Sequence, residues 1–168
     1  METHKICSFI GHRCIENNEE LETKLKELII DLIVNQNVKT FLFGSRSQFD
    51  DLALAIVTNL KEIYTNINRI LYTTYNREIV SGEYKKYLLQ FYDEIYICDD
   101  IQKSGKGIYI ERNKKIIEYS DICIFYYDEK YTAKNRRSNY VTKSGTRIAC
   151  DYAQKLNKRI FNIKSNIM

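Results

Sequence analysis

Four short stretches of the sequence combine glycine, hydroxyl and cationic side chains, which are the groups that proteins use to bind phosphate. Arginine and histidine donate hydrogen bonds to anionic oxygens, and glycine lets the backbone approach a ligand closely. Backbone N–H groups at the start of a helix also favour an anion. The stretches therefore predict a site for a phosphate-bearing small molecule, and its candidate residues are Gly11, His12, Arg13, Gly44, Ser45, Arg46, Asp50, Arg112, Asn113, Ser144, Gly145 and Thr146.

Each stretch also has a purely structural explanation. The first is equally well a tight turn with a solvated Arg13, and Asp50 is equally well the N-cap of the helix that follows it. Arg112 and Asn113 fall in the first turn of a predicted helix, where an arginine is usually exposed to solvent. Short Gly-Thr turns are common in proteins of every function. The site prediction therefore depends on the fold bringing the four stretches together.

Apolar strands alternate with amphipathic helices along the chain, and these elements must position the candidate residues. Strands are predicted over residues 5–10, 38–43, 69–74, 94–98, 121–127 and 159–164. Helices are predicted between them, capped first by Asn17 or Asn18, then from about Asp50, and over 81–91, 109–119 and 144–157. This alternation predicts an α/β fold, a Rossmann-like open parallel sheet of about six strands with helices on both faces, in one domain over residues 1–168.

The candidate residues follow the predicted strands. In a parallel sheet the carboxyl ends of the strands meet at one edge, and ligands bind there near the point where the strand order reverses. Gly11 follows the first predicted strand, Gly44 follows the second, and Gly145 opens the helix after the fifth. We therefore expect these glycines and their neighbours to line one pocket.

The charge balance, the cysteines and histidines and the length of the apolar stretches limit the partners that this chain is expected to have. The 26 basic and 22 acidic residues leave a net charge of only +4, which argues against nucleic acid as the main partner. The five cysteines form no CxxC pair and are expected to be reduced, and the two histidines give no zinc-ligand spacing, so no metal is expected. No stretch approaches the roughly 18 to 20 apolar residues of a membrane span, and no secretion signal is recognisable, so a cytoplasmic protein without membrane contact is expected.

Four segments, SFIGHR, GSRSQFDDLA, YIERNKKIIEYSD and SGTRIACDYA, occur in the order found in one known group of proteins. They resemble the SLOG superfamily, which includes the LOG nucleotide-hydrolysing enzymes, the DprA group and the YpsA-like proteins, with the YpsA-like branch most similar. The resemblance spans nearly the whole chain. It implies a pocket for a nucleotide or nucleotide sugar at the carboxyl ends of the strands, in a homodimer, with no cofactor expected.

The resemblance assigns roles to individual residues. Gly145 and Thr146 match the phosphate-binding turn of the family, and Arg112 matches the arginine that hydrolytic members place beside the ribose. Those hydrolases carry a glutamate three residues after the threonine, where this chain has Ala149. Because cleavage of an N-glycosidic bond requires a carboxylate at the reaction centre, this difference favours binding without turnover. Asp50 or Asp151 could replace the glutamate, although the position of Asp151 on its helix is expected to turn it away from the pocket.

The resemblance implies a protein that binds, and sequesters or senses, a messenger of the ADP-ribose or cyclic ADP-ribose type, for example as a phage anti-defence sponge. A LOG-like phosphoribohydrolase is the first alternative. DprA-like binding of single-stranded DNA is the second, because the stretch 128–143 interleaves tyrosines with lysines and arginines. A solvated loop explains the same stretch better than DNA binding does, and a lid over the small-molecule pocket is a third explanation.

Overall fold

A six-stranded, all-parallel sheet forms the centre of the protein. The structure, a computed structural model, describes residues 3–44, 47–74, 82–131 and 143–165. The strands lie side by side in the order β4-β3-β2-β1-β5-β6. Their bounds are β1 Lys5–Gly11, β2 Val38–Phe43, β3 Asn68–Thr74, β4 Glu94–Cys98, β5 Ile122–Tyr126 and β6 Arg159–Asn162.

Five helices lie in the described part of the chain and cover both faces of the sheet. They are α1 Glu19–Gln36, α2 Gln48–Lys61, α3 Glu83–Leu88, α4 Gly107–Tyr119 and α5 Gly145–Lys155. The apolar stripes of α1 and α2 pack on one face, and those of α4 and α5 pack on the other. The predicted α/β class and the Rossmann-like parallel sheet are therefore confirmed.

Each face of the sheet has its own core because side chains alternate between the faces along a strand. On the first face Phe9 stacks on Phe43 with ring centroids 5.1 Å apart and meets the edge of Phe49 at 6.4 Å. On the second face, buried aliphatic residues of α4 and α5 cover Ile10, Leu42, Cys123 and Phe125. All five residues of β5 are buried, as expected for a strand that is covered on both sides.

The start of α2 differs from its prediction. The helix was expected to begin near Asp50, but it begins at Gln48 with Ser47 as the N-cap. The Ser47 hydroxyl accepts a hydrogen bond from the Asp50 backbone N–H at 3.0 Å and donates to the Asp50 carboxylate at 2.6 Å. The N-cap explanation for Asp50 is therefore wrong, because this carboxylate lies inside the first turn and Ser47 provides the cap.

The amino-terminal edge of the sheet, opposite the candidate site, is held by a charged cluster. The buried Arg69 guanidinium donates two hydrogen bonds to Asp93, both at 3.1 Å, and a third to the Thr58 hydroxyl at 3.0 Å. Lys61 also contacts Asp93 at 3.0 Å. Burial alone would raise the pKa of Asp93, but hydrogen bonds from Arg69 and Lys61 lower it to about 2. The cluster joins α2 to β3 and to the segment that enters β4.

Four of the five cysteines are buried, and Cys14 is exposed. All five are free thiols in the structure. Within the ranges given above, no helix has the length and apolarity needed to cross a membrane.

Candidate functional site

The strand order reverses between β1 and β5, and most of the candidate residues lie around this point. β1 and β5 are neighbours in the sheet, but the chain leaves β1 toward α1 on the first face and leaves β5 toward α5 on the second. In open α/β sheets such a reversal creates the crevice in which ligands bind. The loops after β1, β2 and β5 are joined here: His12 N donates to Tyr126 O at 3.2 Å, and Gln48 N donates to Arg13 O at 2.9 Å.

His12 lies deep in this crevice and is only 2% exposed. Its Nε2 lies 2.9 Å from the Asp128 backbone nitrogen and 3.2 Å from the Asp128 carbonyl oxygen, and its ring stacks on Tyr131 with centroids 4.0 Å apart and planes 13° from parallel. Burial lowers the pKa of His12, and the Asp128 backbone opposes this shift only in part. The lowered pKa favours the neutral form of the imidazole. Nε2 is engaged by the Asp128 backbone.

Gly11 and Arg13 flank His12 and differ in exposure. A Cβ on Gly11 would lie 2.5 Å from the Cβ and Cδ1 atoms of Phe49, so this position requires glycine because a protein side chain packs against it. Arg13 is exposed, and its carbonyl oxygen accepts a hydrogen bond from Gln48 N. Its backbone is thus fixed to the start of α2.

The end of β2 is clamped by two oppositely charged side chains. The Gly44 carbonyl accepts a hydrogen bond from Arg112 Nη1 at 2.5 Å, while its N–H points to Asp50 Oδ1 at 3.4 Å. Arg112 and Asp50 are each 7% exposed. A Cβ on Gly44 would lie 2.8 Å from Arg112 Nη2, so the guanidinium packs directly on this glycine. The exposed-arginine explanation for Arg112 is therefore wrong.

The first turn of α2 already holds an anion that belongs to the protein. Burial raises the pKa of Asp50, while the Ser47 hydroxyl and the Arg112 charge oppose that shift. A carboxylate at a helix N-terminus satisfies the free backbone N–H groups there. An external phosphate at the start of α2 would meet this carboxylate. The candidates Ser45 and Arg46 lie outside the described residues.

Arg112 and Asn113 form one hydrogen-bonded unit. Asn113 Oδ1 accepts from Arg112 Nη2 at 3.0 Å and from Nε at 3.3 Å, and the Arg112 guanidinium lies 5.5 Å from the centroid of the Tyr109 ring. Because α4 begins at Gly107, both residues lie in its second turn and not in the first, where they were expected. From this turn the guanidinium reaches across the end of β2.

The start of α5 is open, in contrast to the start of α2. Ser144 is the N-cap, and its hydroxyl accepts from Arg147 N at 3.1 Å. Gly145 is exposed, and a Cβ placed on it would meet no described atom outside its own helix turn within 4 Å. Thr146 is 8% exposed. Solvent can therefore reach the start of α5 at Gly145.

Neither predicted substitute for the missing glutamate lies free in the crevice. Ala149 is buried in the second core, between α5 and the sheet. Asp151 is exposed and pairs with Lys143 at 2.8 Å, as its position on the helix predicts. Asp50 is enclosed by the groups that fix the start of α2.

The sequence analysis missed the aromatic lining of the crevice. Tyr126 presents its edge to His12 at 6.3 Å, and Tyr127 lies 5.8 Å from the same ring. The Tyr126 hydroxyl also accepts a hydrogen bond from Glu16 N at 3.2 Å. The available signal was the pair of tyrosines at the carboxyl end of the fifth predicted strand, next to the reversal of strand order.

Around the reversal of strand order, the described residues include the exposed Arg13 and Arg147 and the rings of Tyr126, Tyr127 and Tyr131. Within the described ranges, no group of three or more His, Cys, Asp or Glu side chains is arranged to hold a metal ion. No protein-family model matches the chain, and no curated protein matches it.

Proposed function

We propose that the protein binds a nucleotide-derived small molecule of the ADP-ribose or cyclic ADP-ribose type and holds it without turnover. The observation that carries this proposal is the open N-terminus of α5 at the reversal of strand order. Ser144 caps this helix, and Gly145 at its start is exposed. A phosphate at this start would accept hydrogen bonds from the first backbone N–H groups of α5 and would be favoured by the helix dipole.

The starts of α2 and α5 differ in how well an external anion would bind there. Asp50 occupies the start of α2, which leaves α5 as the better place for an external anion. Arg13 follows β1, next to β5 in the sheet, and is exposed, so we propose that it pairs with a second phosphate. A ligand with two phosphates, such as a dinucleotide or ADP-ribose, fits this arrangement better than a simple nucleoside.

The positions of Ala149 and Asp151 favour binding over hydrolysis. An N-glycosidic bond breaks through an oxocarbenium-like transition state, which enzymes stabilise with a nearby carboxylate. Ala149 offers none, and Asp151 is held at the surface by Lys143. We therefore propose sequestration of the intact ligand as the role of this protein, with an anti-defence sponge as its biological form and a homodimer as its assembly.

Calorimetry with ADP-ribose, cyclic ADP-ribose isomers, NAD and AMP tests the proposal. We expect saturable binding of one of these compounds, and chromatography after heat denaturation should recover that compound unchanged. Release of free base and ribose phosphate would instead identify a hydrolase. If none of these compounds binds to the folded protein, the proposal is rejected.

The variant Gly145→Asp tests the position of the phosphate. A carboxylate in the first turn of a helix stabilises it, so the fold should be retained, while repulsion should weaken ligand binding at least about tenfold. Ser104→Asp is the matched control because it adds the same charge at an exposed loop residue. Equal affinity in the two variants would exclude the start of α5 as the phosphate site.

A further inference from the structure

One feature of the crevice is not used by phosphate binding: the parallel pair of rings formed by His12 and Tyr131. Their centroids lie 4.0 Å apart with planes only 13° from parallel, which is the geometry of a stacked base. Tyr126 and Tyr127 surround the imidazole, but both meet it at a steep angle, 86° and 50°. Tyr131 is thus the one described ring that covers a flat face of His12.

Different contacts hold the rings of His12 and Tyr131 in place. The backbone of His12 is bound to β5, since its N–H donates to Tyr126 O at 3.2 Å, and its Nε2 is engaged by the Asp128 backbone. Tyr131 lies at the end of a short turn that is closed by its own N–H donating to Asp128 O at 3.1 Å, and its side chain is partly exposed. Its hydroxyl forms a hydrogen bond with the Cys14 backbone. Displacement of the Tyr131 ring would break this one hydrogen bond, whereas displacement of His12 would disrupt the end of β1 as well.

We infer that the His12 face covered by Tyr131 is the stacking subsite for the base of the ligand, and that Tyr131 competes with the base for this face. The inference rests on the proposed function. Phosphate binding at the start of α5 would place the remainder of a nucleotide in the same crevice, because the β5–α5 connection begins at Tyr127 beside His12. A purine stacks on a neutral imidazole as a phenol ring does, and such stacking contributes substantially to binding.

The competition has a measurable consequence for affinity. A site that is open for only part of the time binds its ligand more weakly, in proportion to the open fraction. Removal of the Tyr131 ring opens the face permanently. The gain should appear only for ligands that carry a base, because the sugar and phosphate do not contact the ring.

The experiment measures the affinities of AMP and of ribose 5-phosphate, which are the two halves of ADP-ribose, for the wild type, Tyr131→Ala and Tyr131→Phe. We expect Tyr131→Ala to bind AMP about three- to tenfold more tightly than the wild type, and ribose 5-phosphate with unchanged affinity. Tyr131→Phe keeps the ring and should stay within about twofold of the wild type. The melting temperatures of both variants provide the check that they are folded.

Four outcomes separate the inference from the proposed function. If Tyr131→Ala binds AMP more tightly than the wild type and Tyr131→Phe does not, the inference and the proposed function are both supported. If ribose 5-phosphate and AMP bind equally well to every form, the phosphate site stands and the stacking subsite is rejected. Weaker AMP binding by Tyr131→Ala would show that Tyr131 holds the base itself, which overturns the competition. If no form binds either compound, the proposed function fails and the inference fails with it.

NMR spectra provide a second readout that does not depend on affinity. The ring current of Tyr131 should shift the His12 carbon-bound protons upfield, and Tyr131→Ala should remove this shift. Addition of AMP to Tyr131→Ala should restore an upfield shift of the same protons, because the base takes the place of the ring. Unchanged His12 protons on saturation with AMP would reject the subsite.

Discussion

At the scale of single residues, Arg112 makes a structural contact that the sequence did not predict. The resemblance implies a place beside a ribose, and in the structure its guanidinium also packs on Gly44 and donates to the Gly44 carbonyl, away from bulk solvent. It also provides the positive charge next to the buried Asp50. A side chain in this position holds the end of β2 in place, so its loss should affect the fold as well as any ligand.

Replacing Arg112 with alanine tests this structural role. The substitution leaves the Gly44 carbonyl without its donor and Asp50 without its neighbouring charge, so the free energy of unfolding should fall by about 2 to 3 kcal/mol. Lys114→Ala on the same helix removes a half-exposed ion pair with Glu111 and should change stability by about 0.5 kcal/mol or less. Urea denaturation gives both values. An Arg112 variant as stable as the Lys114 variant would contradict the clamp.

At the scale of secondary-structure elements, α2 and α5 begin in different ways although each starts with a serine. Ser47 is buried and makes two hydrogen bonds with Asp50. Ser144 is half-buried and caps Arg147 N alone. The hydrogen-bonding groups at the start of α2 are bound by residues of the protein itself, whereas the start of α5 leaves room for a ligand.

A pair of cap substitutions compares the two helix starts. Ser47→Ala removes the partner of the buried Asp50 carboxylate as well as the cap, so we expect a loss of about 2 kcal/mol in the free energy of unfolding. Ser144→Ala removes only a cap and should lose about 0.5 to 1 kcal/mol. Chemical denaturation of the two variants measures both losses in the free energy of unfolding. Equal losses would mean that the Ser47–Asp50 hydrogen bond contributes nothing to stability.

At the scale of the whole molecule, the carboxyl ends and the amino ends of the parallel strands form two edges of the sheet with different roles. The carboxyl edge carries the crevice, while the amino edge is fastened by Arg69 and Asp93. The lowered pKa of Asp93 means that this edge contributes stability above the ordinary carboxyl pKa and loses it in acid. The wild type should therefore weaken between about pH 4 and pH 2 through this cluster.

Comparison with Asp93→Asn isolates that contribution. Asparagine keeps the shape of the side chain but cannot titrate, so the stability difference between the wild type and the variant should shrink by about 2 kcal/mol as pH falls from 6 to 2. Unfolding free energies at several pH values in this range provide the test. A difference that stays constant with pH would show that Asp93 does not titrate with a lowered pKa.

Most of the fold could be predicted from the sequence, but much less of the site could. Strands such as 38–43 and helices such as 109–119 follow from local apolar periodicity, and the structure confirms them within about two residues. The stacking of His12 on Tyr131 brings together residues that are far apart in sequence, and no local pattern encodes it. The start of α2 was misplaced because Ser47 and Asp50 both suit a cap, and only the three-dimensional contacts distinguish them.

The position of β1 in the middle of the sheet also bears on how the chain folds during synthesis. β1 finds its neighbour β2 early, but its other neighbour, β5, begins only at Ile122. Until β5 has been made, one edge of the central strand carries unpaired backbone groups next to apolar side chains such as Phe9 and Ile10. Pairing over such a long sequence separation is slow, and an open apolar edge attracts other chains. The nascent protein is therefore most prone to aggregation in the interval before β5 joins the sheet.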